Sequence, residues 1–235
     1  MSQTASRRIG FFFLNLGHGY DHLFMMLYPT VVLGLEIQFD RPYSEMLTLS
    51  LPGFIAFAAG TLPAGWLGNR WSRSGMIAVF FLGIGASSIV TSFAHTPVEI
   101  AGGLTLIGLF ASIYHPVAIL MMVDGREKVG KVLGINGVYG NLGFAIAPLA
   151  AAGLMQVIDW QAAFLLPGIA ATVTGFAYVI YLRVTPATER PTARAKRAAT
   201  AAAAAETGGA ARPVIDKLVM RRVFGVVGVM TESGV

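Results

Sequence analysis

The sequence predicts an all-α membrane protein with six transmembrane helices, and three observations predict it. Of 235 residues, 55% are hydrophobic and only 12% are charged, about half the charged share of a soluble domain. So few charges cannot cover a globular surface, which leaves lipid as the solvent for much of the chain. The apolar residues fall into six runs, each close to or above the ~20 residues that cross a bilayer. The charges sit in short clusters between those runs, with a strong asymmetry of sign.

The six runs are Ile9–Leu35, Met46–Gly68, Gly75–Ala94, Pro97–Val123, Val132–Ile158 and Trp160–Leu182. In lipid every backbone polar group needs an internal partner, so continuous apolar runs read as helices. They lack the two-residue alternation of a transmembrane barrel. The first run follows Arg7 and Arg8 and is too long for the h-region of a secretory signal, so it counts as a span. Pro29, Pro52, Pro63, Pro116, Pro148 and Pro167 lie inside the runs. Kinks are expected near several of them.

Orientation follows from the basic residues. With the N-terminus in the cytoplasm, all 17 Lys and Arg residues except Arg41 fall on the inner side. The outer loops hold Glu36, Asp40, Glu45, Glu99 and Asp159. The expected location is the plasma (inner) membrane, multi-pass, with both termini cytoplasmic. The net charge of +5 is therefore topology and not a nucleic-acid face. The absence of cysteine excludes a disulfide framework and any Cys-based metal or nucleophile site.

Three regions are expected. Residues 1–183 form the six-helix bundle. Residues 184–213, rich in Ala, Thr, Arg and Pro, read as a basic cytoplasmic linker. Residues 214–235 turn apolar again and read as the start of a truncated second half, the beginning of a seventh helix.

Ionisable residues inside spans cost several kcal/mol and by default mark function. Four occur here: His18, Asp21, His22 and His115. Positions 18, 21 and 22 share one helical face. His18 lies roughly 14 Å along its helix from Ile9, and His115 roughly 12 Å from Val123 on a helix running the other way. Both fall near the midplane, as candidates for substrate binding or proton coupling. Imidazoles beside a carboxylate can relay a proton. His-x-x-x-His on a helix also has metal-ligand spacing, but no further His or acid in sequence joins that pair, and no metal is assigned. Asn15, Tyr20, Tyr114, Tyr139, Asn136 and Asn141 are candidate polar cavity groups, with interhelical hydrogen bonding as the competing role. Asp124, Arg126, Glu127, Lys128 and Lys131 read as a solvated loop.

Local motifs then resemble one family. Gly65-Trp-Leu-Gly-Asn-Arg-Trp-Ser-Arg-Ser74 is similar to the signature loop of the major facilitator superfamily, G-x-x-x-D-R-x-G-R-K. Gly65, Arg70 and Arg73 match, while Asn69, Ser72 and Ser74 replace Asp, Gly and Lys. Gly137 to Pro148, with Gly140 and Gly143 between, resembles the superfamily's helix-five packing motif, and Trp160-Gln-Ala-Ala-Phe164 its helix-six opening. His18-Gly-Tyr-Asp-His22, Pro29 and Tyr114-His115-Pro116 look closest to the fosmidomycin-resistance-like branch, with Asp21 then His22 where that branch has Asn then Asp.

The resemblance implies two inverted three-helix repeats, a cavity lined by the first and fourth helices, and alternating access. It implies a secondary transporter, not an enzyme, for a small organic molecule or drug. A proton gradient is the expected energy source, and no cofactor is expected. The loop Gly65, Asn69, Arg70 and Arg73 is a candidate gate, with positive-inside anchoring as the alternative. Partners expected are a small-molecule substrate, the lipid bilayer, and a second six-helix half or a homodimer. Two other readings stay open: a truncated fragment that does not transport, and a membrane-embedded binding or regulatory protein.

Overall fold

The computed structural model describes residues 3–124 and 129–185. All regular structure among them is helical: α1 (Gln3–Met26), α2 (Tyr28–Phe39), α3 (Tyr43–Thr48), α4 (Leu51–Arg70), α5 (Arg73–Thr91), α6 (Pro97–Ala111), α7 (Tyr114–Val123), α8 (Val129–Val157) and α9 (Trp160–Val184). Among the described residues, six stretches are long and apolar enough to cross a membrane: Ala5–Phe39, Tyr43–Arg70, Arg73–Thr91, Pro97–Val123, Val129–Val157 and Trp160–Val184. The expected six spans are present. The first helix starts earlier than the Ile9 expected from hydropathy, because polar residues around Arg7 and Arg8 continue the helix beyond the apolar run. The expected linker from residue 186 onward and the expected seventh helix lie outside the described residues.

Proline does not act uniformly. The first, second and fourth spans are interrupted at Leu27, at Leu49–Ser50 and at Ser112–Ile113. Each break falls within the four residues before a proline, where the missing N–H leaves a carbonyl without its helical partner. Pro63, Pro148 and Pro167 instead sit inside unbroken helices, so the expected kinks are realised as breaks at only half of the prolines. Span starts are fixed by side chains. Thr96 and Glu99 form a reciprocal capping box, and Ser72 and Asp159 cap α5 and α9. At the far end of the first span, Asp40 adopts a left-handed conformation (φ 50°) and donates its N–H to Glu36, a cap that Asp tolerates better than most residues.

The most extensive helix pairings are α1 with α8, α4 with α6, and α5 with α9. These are spans one with five, two with four, and three with six. Exchanging the first three spans for the last three maps the first pairing onto the second and the third onto itself. That is the contact pattern of two three-helix repeats. Each pairing closes on glycine. Gly19 faces Gly143, Gly53 faces Gly108, and Gly85 faces Gly168. A methyl group at Gly143 would sit 2.8 Å from the carbonyl carbon of Gly19, and one at Gly168 would sit 3.0 Å from the carbonyl oxygen of Gly85. Backbones this close leave no room for a side chain, which is how helices gain packing in lipid.

Candidate functional site

The first and fourth spans meet through their ionisable residues. His115 Nε2 on α7 lies 3.1 Å from Asp21 Oδ2 on α1. Asp21 is 2% exposed, and its second carboxylate oxygen has no hydrogen-bond partner. His18 and His22 complete the group. Ring centroids are 4.7 Å apart for His18 and His22, 5.2 Å for His18 and His115, and 5.8 Å for His22 and His115. All three imidazoles are half-buried. The four residues expected to form the site are therefore brought together, on one helical face of α1 and at the start of α7.

A notch in α8 holds His18. Its Nδ1 donates to the backbone carbonyl of Asn136 at 2.8 Å, which fixes the tautomer because a carbonyl can only accept. That carbonyl points toward residue 140, one helical turn on. Position 140 is glycine, and a Cβ there would lie 2.7 Å from the His18 ring. On its other side the ring stacks on Tyr114, with centroids 5.3 Å apart and planes inclined by 21°.

Beneath the histidines runs a buried polar network. The Tyr114 hydroxyl donates to the Leu14 carbonyl at 2.6 Å, and Asn136 Nδ2 donates to that hydroxyl and to Asn15 Oδ1, each at 3.0 Å. Spans one, four and five are thus tied at one depth. Tyr114→Phe leaves the Leu14 carbonyl and the Asn136 amide short of a partner. It should cost about 1–3 kcal/mol, read as a lowered melting temperature in detergent, with no loss expected from Tyr139→Phe.

The remaining expected residues divide. Asn15, Tyr114 and Asn136 belong to the network. Tyr20 points instead to the sixth span, its hydroxyl 3.2 Å from Thr174 Oγ1. Tyr139 is half-buried and Asn141 exposed, and neither joins the histidines. Gly140 and Gly143 pack as the motif implies, whereas Gly137 has nothing within 4 Å and Pro148 is exposed. In the candidate gate, Arg73 donates to Asn69 Oδ1 at 2.8 Å and pairs with Asp124 at 3.5 Å. Arg70 stacks over Trp66, 5.6 Å from its ring centroid. A Cβ at Gly65 would lie 3.3 Å from Pro116. Asp124 is thus no part of a solvated loop: it is half-buried and joins the end of the fourth span to the turn after the second. Arg126, Glu127 and Lys128 lie outside the described residues. Sequence reasoning missed the notch at Gly140 as a seat for His18; the recurrence of glycine three residues apart in the fifth span was the available signal.

Six membrane-length helices among the described residues, in two three-helix sets with an ionisable cluster held between the first and fourth, define a multi-pass membrane protein. The family model of the Major Facilitator Superfamily matches residues 9–231. The chain belongs to that superfamily and is not an enzyme. Among curated proteins it is 26% identical over 145 residues to "Putative glycerol-3-phosphate transporter 5" of Arabidopsis thaliana, covering 59% of this chain and 29% of that protein. It is 27% identical over 175 residues to "Putative niacin/nicotinamide transporter NiaP" of Bacillus subtilis (strain 168), covering 72% of this chain and 41% of that one. The chain thus matches less than half the length of either relative.

Proposed function

We propose that this chain supplies one six-helix wall of a proton-coupled secondary transporter, which carries a small organic molecule or drug by alternating access. The observation that carries the proposal is the Asp21–His115 pair. The carboxyl belongs to a helix long and apolar enough to cross a membrane, where an uncompensated charge is expensive. The pair also links the first span to the fourth, the two helices expected to line the central cavity. Asp21 is the coupling carboxylate in this reading, His115 its relay partner, and His18 and His22 the cavity-facing imidazoles.

A second six-helix half supplies the opposite wall. The relatives' lengths favour that partner, since the regions matched here are minor parts of each. Their names, both of transporters of small organic molecules, favour the cargo class. The fosmidomycin-resistance-like branch is the finer assignment, resting on His18-Gly-Tyr-Asp-His22, Pro29 and Tyr114-His115-Pro116. The basic ends of the spans face the cytoplasm of the plasma membrane in this reading. The Arg73–Asn69–Asp124 contacts then form a cytoplasmic latch between the second and fourth spans.

The test is a proteoliposome assay on the complete transporter. With an imposed pH gradient, adding cargo should produce a proton flux that collapses when the gradient is dissipated by an uncoupler. Cargo movement that ignores the gradient would overturn proton coupling.

A further inference from the structure

The histidine cluster has a capacity that proton relay does not use. One ring nitrogen from each of His18, His22 and His115 lies within 4.8 Å of the other two. We infer that these three imidazoles form a binding site for a borderline divalent cation of the zinc class.

The donor chemistry fits. Neutral imidazole nitrogen suits zinc and its first-row neighbours, whereas calcium and magnesium demand oxygen. A ligating histidine almost always donates its other N–H to a carbonyl or a carboxylate, which orients the ring and raises its basicity. Two of the three already have that support. His18 uses Nδ1 on the Asn136 carbonyl, and His115 uses Nε2 on Asp21. Their other nitrogens, Nε2 of His18 and Nδ1 of His115, keep their lone pairs.

His22 comes from the helical turn after His18 and makes edge-on contacts with both rings. The two-histidine spacing in α1 was insufficient as a metal site by itself; the fold adds the third ligand from α7. Tetrahedral zinc, with Zn–N near 2.0–2.1 Å, needs ligand atoms roughly 3.4 Å apart. Closing that difference takes rotation of the half-buried rings. The Asp21 carboxyl stands directly behind the His115 ring, 3.1 Å from its Nε2. Three protein ligands leave a fourth position for water or for a donor atom of a cargo, the arrangement of an exchangeable and not a structural zinc. The inference stands on donor geometry and is independent of whether the protein moves protons.

The experiment is a Co(II) titration of the full chain purified in detergent, followed by displacement with Zn(II). The expected result is a saturable visible absorption with one ion per chain, removed by Zn(II). His22→Ala and His115→Ala should each weaken binding at least tenfold. Asp21→Ala should weaken it 10- to 100-fold, as loss of an outer-shell partner does. His95→Ala, altering the exposed fourth histidine of the chain, should change nothing. A measurement on the unmodified chain guards against misfolded variants: Zn(II) should raise its melting temperature, as any ligand selective for the folded state must. Absence of a saturable signal and of a melting shift overturns the site. So does a signal that survives the combined His18, His22 and His115→Ala variant, which would place the ion elsewhere. Neither negative result touches proton-driven transport, which the flux assay reads separately.

Discussion

Asp21→Asn should abolish proton-driven accumulation in the complete transporter while leaving cargo exchange without a gradient intact. The substitution keeps shape and keeps an oxygen able to accept from His115 across the 3.1 Å contact. It removes the one acidic side chain in the cluster. A carrier that has lost its proton-binding group can still reorient with cargo and equilibrate it, but cannot concentrate it. Accumulation under an imposed pH gradient should therefore fall to the level measured without one, and counterflow should persist. Unchanged pH dependence would sink the assignment of Asp21. Asp21→Ala tests something different. Truncation leaves His115 without its partner and should cost about 3 kcal/mol, the low end for breaking a buried pair, because His115 remains one-third exposed. Loss of transport in that variant alone would confound coupling with folding, so the isosteric change is the informative one.

The second large effect concerns packing. Gly143→Ala should destabilise the bundle by about 1–3 kcal/mol, as overpacking does. The added methyl meets backbone of Gly19, which cannot rotate aside as a side chain would. Spans one and five must then separate, dragging the Asn136 carbonyl away from His18. Gly137→Ala, six residues earlier on the same helix, should do the reverse. Nothing lies within 4 Å of that position, and replacing a mid-helix glycine with alanine gains up to about 1 kcal/mol of helix propensity. Melting curves of the two variants in one detergent should move in opposite directions. Equal behaviour would mean that the close approach at Gly143 does not govern stability.

Much of this architecture was legible because lipid imposes a simple rule on sequence. The fourth span runs from Pro97 to Val123 as hydropathy predicts, since Thr96 and Glu99 mark its start by capping and Asp124 ends it. The first span was read too short, because helix formation does not require apolar residues and Ser6 to Arg8 extend the helix beyond the hydrocarbon signal. Within the cluster, positions 18, 21 and 22 share a face by arithmetic, and His115 was matched to them by depth. Partner choice was not legible. Whether Tyr114 or Tyr20 joins the histidines depends on how each helix is rotated about its axis, and that is set by glycine contacts between spans distant in sequence. The same applies to Asp124, whose charge suggests water but which pairs with Arg73.

The interruptions at Leu27 and at Ser112–Ile113 fall in the two spans that carry the histidines. Both lie just past the cluster on the side of Glu36 and Glu99. A helix with its full ladder behaves as a rod; one that lacks a rung at a proline bends more easily there. Bending there would tilt Tyr28–Phe39 and Pro97–Ala111 while His18, Asp21, His22 and His115 keep their mutual spacing. In the proposed transporter the acidic end would then be softer than the basic end, which Arg73 clasps through Asp124, so opening on the two sides need not be mirror images of one motion.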